Sequence, residues 1–180
     1  MIARALIMSA ALSLALPSFA QHAQPYAGQQ VRDIKALSSD EVKQYLAGAG
    51  LGYAKAAELN RYPGPMHALE LADQLQLTAE QRAKTTALMQ EHKTEARELG
   101  QKLVHAEHAL DALFKSGNVG ESELAAHVRT VATAQGEYRL SHLETHRKMR
   151  ALLSAEQVAR YDTLRGYGKS GAEGRHTGKH

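Results

Sequence analysis

The stretch Leu77-Thr78-Ala79-Glu80-Gln81 occurs again near the other end of the chain as Leu153-Ser154-Ala155-Glu156-Gln157. Each copy places a hydroxyl residue three positions before a Gln, which is the pattern of a capping box at the start of an α-helix. The match continues past the caps, because LTAEQRAK aligns with LSAEQVAR. The repeat therefore predicts two helix starts that enclose a long helical region.

Two long amphipathic helices are predicted between the motifs, from Ala79 to about Ser116 and from about Glu121 to Leu152. Seam residues follow each other by threes and fours in both, which is a heptad-like pattern. In the first helix they are Met89, His92, Ala96, Leu99, Leu103, Ala106, Leu110 and Leu113. In the second they are Leu124, Val128, Val131, Gln135, Tyr138, His142, Thr145, Met149 and Leu152. A short Gly-containing loop joins the helices, so we expect an antiparallel hairpin.

The hairpin register follows from aligning the two seams about the loop. Residue numbers of facing positions then sum to about 238. Leu99 should face Tyr138, and Gln81 should face Gln157. The two repeated motifs are therefore expected to meet at the open end of the hairpin, where we assign them a structural role.

Five regions are predicted along the chain. A secretory signal peptide is indicated by Arg4, the apolar run from Ala5 to Leu16 and a cut after Ala20. An exported, periplasmic protein follows from that assignment. The regions are a signal peptide (1–20), a flexible arm (21–37), short N-terminal helices (38–64), the helical hairpin domain (65–168) and a disordered basic, His-containing tail (169–180).

Composition excludes several classes of protein. The chain has no Cys, which rules out disulfides, thiolate metal sites and a Cys nucleophile. The formal net charge of +3 is too small to argue for nucleic acid. No P-loop, Gly-x-Gly-x-x-Gly or His-Glu-x-x-His pattern occurs, so we expect neither an enzyme nor a nucleotide-driven machine. The fold class expected is all-α, a long antiparallel hairpin with short flanking helices.

Histidines offer the candidate metal ligands. His142 and His146 are four residues apart on one helix face, and the hairpin register places His92 opposite His146, which suits Zn²⁺, Cu²⁺ or Ni²⁺. No cofactor is expected to be required. The alternative interpretation is that these are ordinary half-exposed helix residues. Weaker candidates are a group near the loop (His108, Asp111 and His127) and the tail pair His176 and His180.

A candidate client-binding surface lies on the second long helix. Leu140 and Leu143 fall off the seam beside basic residues, so they could form an exposed or dimer-facing apolar patch ringed by charge. The residues assigned to this surface are Leu140, Leu143, Arg139, Arg147 and Arg150. The alternative is an ordinary dimer interface with a solvated basic face. We expect a homodimer, because a long hairpin with a narrow seam has a second surface to cover.

With its two motifs and its signal peptide, the chain resembles the Spy/CpxP family and the related periplasmic heavy-metal sensors and zinc-resistance-associated proteins, over about 66–167. Leu77, Thr78 and Gln81 match the family's Leu-Thr-x-x-Gln motif, whereas Leu153, Ser154 and Gln157 match it with Ser for Thr. The resemblance implies a cradle-like antiparallel dimer and ATP-independent binding of unfolded or misfolded envelope proteins. It also implies an alternative function in metal sensing or metal resistance, with a membrane-bound sensor as a further partner.

Overall fold

The structure, a computed structural model, describes residues 24–167. The predicted signal peptide (1–20) and the predicted tail (169–180) lie outside the described residues. Six α-helices and no strand occur within 24–167, which confirms the all-α prediction. The described residues divide into two units, 24–30 and 31–167. The described part of the first contains turns and the first residues of a short 3₁₀ helix (Gln29–Val31), and Gln29 Nε2 donates to the Pro25 carbonyl at 3.1 Å.

Two long helices form the predicted hairpin. The helices of the second unit are α1 (Ser39–Ala47), α2 (Lys55–Glu58), α3 (Pro65–Glu70), α4 (Ala79–Lys115), α5 (Glu121–Leu152) and α6 (Ala155–Leu164). Helices α4 and α5 pack against each other more extensively than any other pair. Their bounds match the prediction within a residue. No helix within 24–167 is long and apolar enough to span a membrane.

Both repeated motifs form the predicted capping boxes. Thr78 Oγ1 accepts from the Gln81 backbone N–H at 3.1 Å, and Gln81 Oε1 accepts from the Thr78 N–H at 3.0 Å. Ser154 and Gln157 repeat this arrangement at 3.2 and 2.9 Å. Each box satisfies N–H groups that the first turn of a helix leaves without partners.

The two motifs meet at the open end of the hairpin, as the register predicts. Gln81 Nε2 donates to Gln157 Oε1, and Gln157 Nε2 donates to Gln81 Oε1, both at 2.9 Å. The second N–H of each amide reaches a backbone carbonyl, of Leu152 for Gln81 and of Leu75 for Gln157. We call this arrangement the glutamine pair. It satisfies both side-chain amides completely and ties the start of α4 to the start of α6.

The hydrophobic core consists of two clusters along the hairpin. One surrounds the glutamine pair and joins α3, α4, α5 and α6; its members are Ala68, Ala72, Leu75, Leu77, Leu88, Met149, Leu153, Val158 and Tyr161. The other joins the N-terminal segment to the middle of the hairpin; its members are Ile34, Leu37, Tyr45, Leu99, Leu103, Ala106, Ala134 and Tyr138. Leu99 and Tyr138, predicted to face each other, belong to the same cluster.

The N-terminal segment packs on the hairpin, which corrects the expectation of a flexible arm for residues 31–37. Ile34 and Leu37 are buried. Lys115 Nζ donates to the Asp33 carbonyl at 2.8 Å, and the Lys35 N–H donates to Asp111 Oδ1 at 3.2 Å. These contacts join residues about eighty positions apart, so no local pattern in the sequence predicts them.

The second short helix, α2, occupies only a small part of the region 38–64 for which short helices are predicted. Only Lys55–Glu58 is α-helical. Leu51 and Gly52 have φ angles of 46° and 80°, in the left-handed region that cannot continue a right-handed helix. The chain between α1 and α3 therefore runs over the hairpin mostly as turns.

Gly100 permits the closest approach between α1 and the hairpin. A Cβ atom at this position would lie 2.0 Å from the Tyr45 carbonyl oxygen. Glycine is therefore the residue that lets the end of α1 rest directly on the α4 backbone. The α1 helix ends there at Gly48, whose φ of 71° gives a left-handed cap.

Candidate functional site

A cavity of about 480 Å³ lies between the hairpin and the chain that runs from α1 to α3. All three histidines of the main metal hypothesis line it: His92 from α4, and His142 and His146 from α5. We call it the histidine cavity. Its other wall comes from 48–67, a segment that the sequence interpretation left outside the site.

His142 supplies a nitrogen atom without a partner. The side chain is buried, and its Nδ1 lies 2.9 Å from the Tyr138 carbonyl oxygen. A carbonyl can only accept, so Nδ1 carries the proton of the neutral ring. Nε2 is then an unprotonated nitrogen, and it is buried with no hydrogen-bond partner. Burial is the main cause that lowers the pKa of His142, which favours the neutral ring, although the backbone of Tyr138, Gly48 and Ala49 opposes this.

His146 is held on the same ring nitrogen. Its Nδ1 lies 2.8 Å from the Tyr62 carbonyl oxygen and 3.5 Å from Glu58 Oε2. Gly64 makes room for this ring, because a Cβ at Gly64 would lie 3.0 Å from His146 Cε1. The loop before α3 therefore fixes the orientation of the imidazole through two close contacts.

His92 completes the group from the opposite helix. Its Nδ1 lies 3.4 Å from Ser141 Oγ, and its ring meets the His142 ring edge-on with centroids 4.6 Å apart. Burial lowers the pKa of His92 to about 4, and the neighbouring His142 and His146 lower it further. The ring is therefore neutral over the whole physiological range of pH.

The three rings share a pattern that suits metal ligation. A metal-binding imidazole characteristically has one nitrogen fixed by a protein group and the other available to the ion. For His142 and His146 the fixed nitrogen is Nδ1, which donates to a carbonyl, so Nε2 is the atom left for a ligand. The partner of His92 Nδ1 is a hydroxyl, which can donate or accept. Within residues 24–167 no three His, Asp or Glu side chains already form a metal-binding group. The three rings therefore line one cavity without converging on a single metal position in this structure.

Further donors in the cavity come from residues that the sequence interpretation did not assign. Glu58 lines the cavity, as do Met66 and Met89, whose thioether sulfurs are soft ligands. Glu58 is firmly held, because Tyr161 Oη donates to its Oε1 at 2.5 Å and the Gly64 N–H donates to its Oε2 at 3.1 Å. Glu58 and Met66 precede the hairpin in the sequence. Hydrophobic periodicity there does not indicate which hairpin residues they contact.

The weaker candidate group near the loop is not assembled. Asp111 accepts from the Lys35 N–H and forms an ion pair with Lys115 at 2.6 Å, and the hydrogen bond from Lys115 lowers the Asp111 pKa. His108 and His127 line two different cavities. The structure therefore offers no shared site for these three residues. His176 and His180 lie outside the described residues.

The residues of the candidate client-binding surface lie on or near the outer side of α5. Leu140 is 58% exposed and Leu143 is half-buried. The Arg139 guanidinium lies 5.0 Å from the Tyr53 ring centroid, and Arg147 pairs with Glu144 at 2.8 Å. Arg150 Nη1 donates to the Leu153 carbonyl at 3.4 Å. The patch is thus mixed, with one exposed Leu among cations that already have partners within the chain.

Comparison with known protein families identifies a matching region that contains most of the residues lining the histidine cavity. Residues 45–160 match the model of a family described as heavy-metal resistance, and the match includes all three cavity histidines. The matched region also includes the whole of 48–67, the segment that forms the other wall of the cavity. No curated protein and no solved structure gave a significant match. Since the matched region covers more than half of the sequence, the chain belongs to the heavy-metal resistance family.

Proposed function

We propose that this protein binds a divalent transition metal in the histidine cavity and acts in the periplasm as a metal-resistance or metal-sensing protein. The observation that carries the proposal is the buried, partnerless Nε2 of His142, next to two more imidazoles held by Nδ1. An unpaired polar atom in a protein interior is costly unless something binds it. Membership of the heavy-metal resistance family supports the same function.

Side chains that line the cavity would serve as the metal ligands. His92, His142 and His146 would supply nitrogen ligands, which Zn²⁺, Cu²⁺ and Ni²⁺ all accept. The Tyr138 and Tyr62 carbonyls hold the tautomers of His142 and His146 that leave Nε2 free. Because burial lowers the pKa of His92 and of His142, both rings would be available to a metal ion in their neutral form.

Calorimetric titration with Zn²⁺ and Cu²⁺ tests this proposal. The wild-type protein should bind about one ion per chain in the cavity, and the variant His92→Gln/His142→Gln/His146→Gln should lose that binding. A matched control, His105→Gln/His108→Gln/His127→Gln, removes three histidines outside the cavity. Both variants keep His176 and His180, so weak binding by the tail cancels in the comparison. An isotherm that is unchanged in the cavity variant would refute the proposal.

A second candidate function is ATP-independent binding of unfolded envelope proteins. The exposed Leu140 favours it, since it stands among Arg139, Arg147 and Arg150. An exposed apolar side chain ringed by charge allows weak and reversible contacts. The purified protein would then suppress aggregation of a reduced, unfolding client without nucleotide. No suppression at an equimolar or higher ratio would argue against this function, whatever the metal titration shows.

A further inference from the structure

A second cavity, of about 830 Å³, lies between the N-terminal segment and α4. It shares no lining residue with the histidine cavity. One wall comes from residues 31–46 and the other from α4 between residues 101 and 108. We call it the N-terminal cavity. Most of its lining precedes residue 45, where the match to the heavy-metal resistance family begins, so membership of the family does not account for it.

The lining of the N-terminal cavity is mainly apolar. Ile34 and Leu37 are buried members of the core, and Val42 and Val104 are half-buried beside them. Leu46 also lines the cavity and is 42% exposed. Sites for small molecules typically combine an apolar lining with a few polar groups, in a volume of roughly 300–1,000 Å³. A ligand with an apolar part would cover Leu46 and continue the core cluster outward.

Two contacts of the backbone mark the ends of this cavity. At one end the Tyr45 carbonyl rests against Gly100. At the other end the Lys35 N–H donates to Asp111 Oδ1 at 3.2 Å. The lining residues of α4 between these contacts span 101–108, which is roughly 10 Å along the helix axis. A ligand that follows α4 through the cavity therefore has the length of a medium alkyl chain.

A half-buried cation, Arg32, lines the end of the cavity nearer to the hairpin loop. Its guanidinium takes part in none of the ion pairs within residues 24–167. Asp33 also lines the cavity, but its carboxylate acts on Lys115, whose pKa is raised mainly by Asp111 and further by Asp33. Arg32 is therefore available to an anionic group of a ligand, which a guanidinium can bind with two parallel hydrogen bonds.

Other charged groups nearby leave Arg32 without a close partner. The hydrogen bonds from Ser38 lower the pKa of Glu41 most, and the charge of Arg32 lowers it further. Glu41 Oε2 serves the cap of α1, where it accepts from the Ser38 N–H and hydroxyl at 2.8 and 2.7 Å. Lys43 adds a second cation to the lining. Its contact with Asp40 at 3.4 Å joins two exposed side chains and contributes little.

We propose that the N-terminal cavity binds a single-chain amphiphile with an anionic head, namely the anion of a free fatty acid. The head pairs with Arg32, and the alkyl chain follows α4 past Val104 toward Leu46. Each methylene group that the apolar lining removes from water adds to the affinity, whereas a cationic head would face an unpaired guanidinium. The site is independent of the histidine cavity, because no residue lines both.

Calorimetric titration in a chelating buffer tests the ligand class. The chelator removes divalent ions, which would occupy the histidine cavity and precipitate a fatty-acid anion. Decanoate, below the concentration at which it forms micelles, should bind at about one molecule per chain. Decyltrimethylammonium has the same chain with a cationic head and should bind at least tenfold more weakly. Acetate has the anionic head without the chain and should not bind detectably.

Two variants with matched controls test the residues. Arg32→Gln should weaken decanoate binding about tenfold or more, which corresponds to about 1.4 kcal/mol, without weakening the binding of decyltrimethylammonium. Lys93→Gln, at an exposed position of α4, removes the same charge and should bind decanoate like the wild type. Leu46→Gln should also weaken decanoate binding. Its control is Leu164→Gln, because Leu164 is 43% exposed and lies outside the cavity.

Three results would overturn the proposal. One is the absence of decanoate binding to the wild type; co-sedimentation of that protein with vesicles of an anionic phospholipid would then assign Arg32 to a membrane surface. Another is equal affinity for decanoate and decyltrimethylammonium, which would show that Arg32 does not select the head. The third is an unchanged decanoate affinity in both Arg32→Gln and Leu46→Gln, which would place the ligand elsewhere.

Discussion

Gln81 and Gln157 show why a family motif can require an amide rather than a carboxylate. A Glu at either position could still accept from the cap N–H, as a capping box needs. Only an amide can also donate, and each of these donates to its counterpart and to a backbone carbonyl. The motif therefore encodes a helix cap and a contact between two helices in one side chain.

Gln81→Glu should destabilise the protein although it preserves size and the cap. The variant leaves Gln157 Oε1 and the Leu152 carbonyl without their shared donor, which should cost about 1–3 kcal/mol. Thr78→Ala, which removes only the cap oxygen, should cost about 1 kcal/mol. Denaturant unfolding measures both, with the exposed Gln44→Glu as control. Equal stability of Gln81→Glu and wild type would contradict this role of the glutamine pair.

His92 should make stability depend on pH in the acidic range. Its pKa is lowered to about 4 in the folded protein from an ordinary value of 6.5, so between these values the unfolded chain binds more protons. Stability contributed by the neutral ring is therefore complete above pH 6.5 and is lost as the pH falls toward 4.

Thermal melts at pH 7 and pH 5 in a chelating buffer measure this effect. From pH 7 to pH 5, the melting temperature of the wild type should fall more than that of His92→Gln. The variant His105→Gln, at an exposed position, should behave like the wild type. Equal pH dependence in His92→Gln and wild type would exclude His92 as the source.

The helices themselves were predictable from the sequence, but the way α1 and α2 pack was not. Hydrophobic periodicity and capping residues are local signals, so the predicted ends of α4 and α5 agree with the observed ends within a residue. The Tyr45 carbonyl against Gly100 is a non-local contact between backbones, and the left-handed residues at Leu51 and Gly52 are set by tertiary packing. The same reason explains why His92, His142 and His146 could be grouped from the register, whereas Glu58 and Met66 could not.

Gly100→Ala should weaken the packing of α1 on the hairpin. Alanine normally favours a helix over glycine by about 1 kcal/mol, yet here its Cβ would collide with the Tyr45 carbonyl. We expect net destabilisation and faster amide hydrogen exchange in α1. The neighbouring Gln101→Ala, on the exposed side, should leave stability unchanged or slightly raised. A stabilised Gly100→Ala variant would show that α1 does not rest on α4 at this point.

At the scale of the whole molecule, the two sides of the hairpin differ in whether another part of the chain covers them. The N-terminal segment covers one side and encloses the histidine cavity, whereas the side of α5 that contains Leu140 is exposed within the described residues. The resemblance to Spy/CpxP proteins could not reveal this division, because the hairpin pattern is the same whether or not a segment packs on it. The proposed metal site and the candidate client-binding surface therefore belong to different surfaces of the hairpin.

Metal should stabilise the whole protein, because the proposed ligands come from both long helices. An ion that binds only the folded chain, at a free concentration about 100 times its dissociation constant, adds about 2.7 kcal/mol to the free energy of unfolding. Calorimetric melts with Zn²⁺ should show a higher melting temperature for the wild type and for the His105/His108/His127 control. The same increase in the cavity variant would assign the stabilisation to another site.

The glutamine pair joins positions 76 residues apart, so its formation closes α4, α5 and the loop between them into one ring. The contact can stabilise the protein only after both long helices have formed. The conformational entropy that is lost when the loop closes must be overcome first. We therefore expect it to form after the rate-limiting step of folding, with a φ-value near zero for Gln157→Ala. Loss of the pair would then leave the folding rate nearly unchanged and accelerate unfolding, so the motif would govern how long a folded molecule lasts.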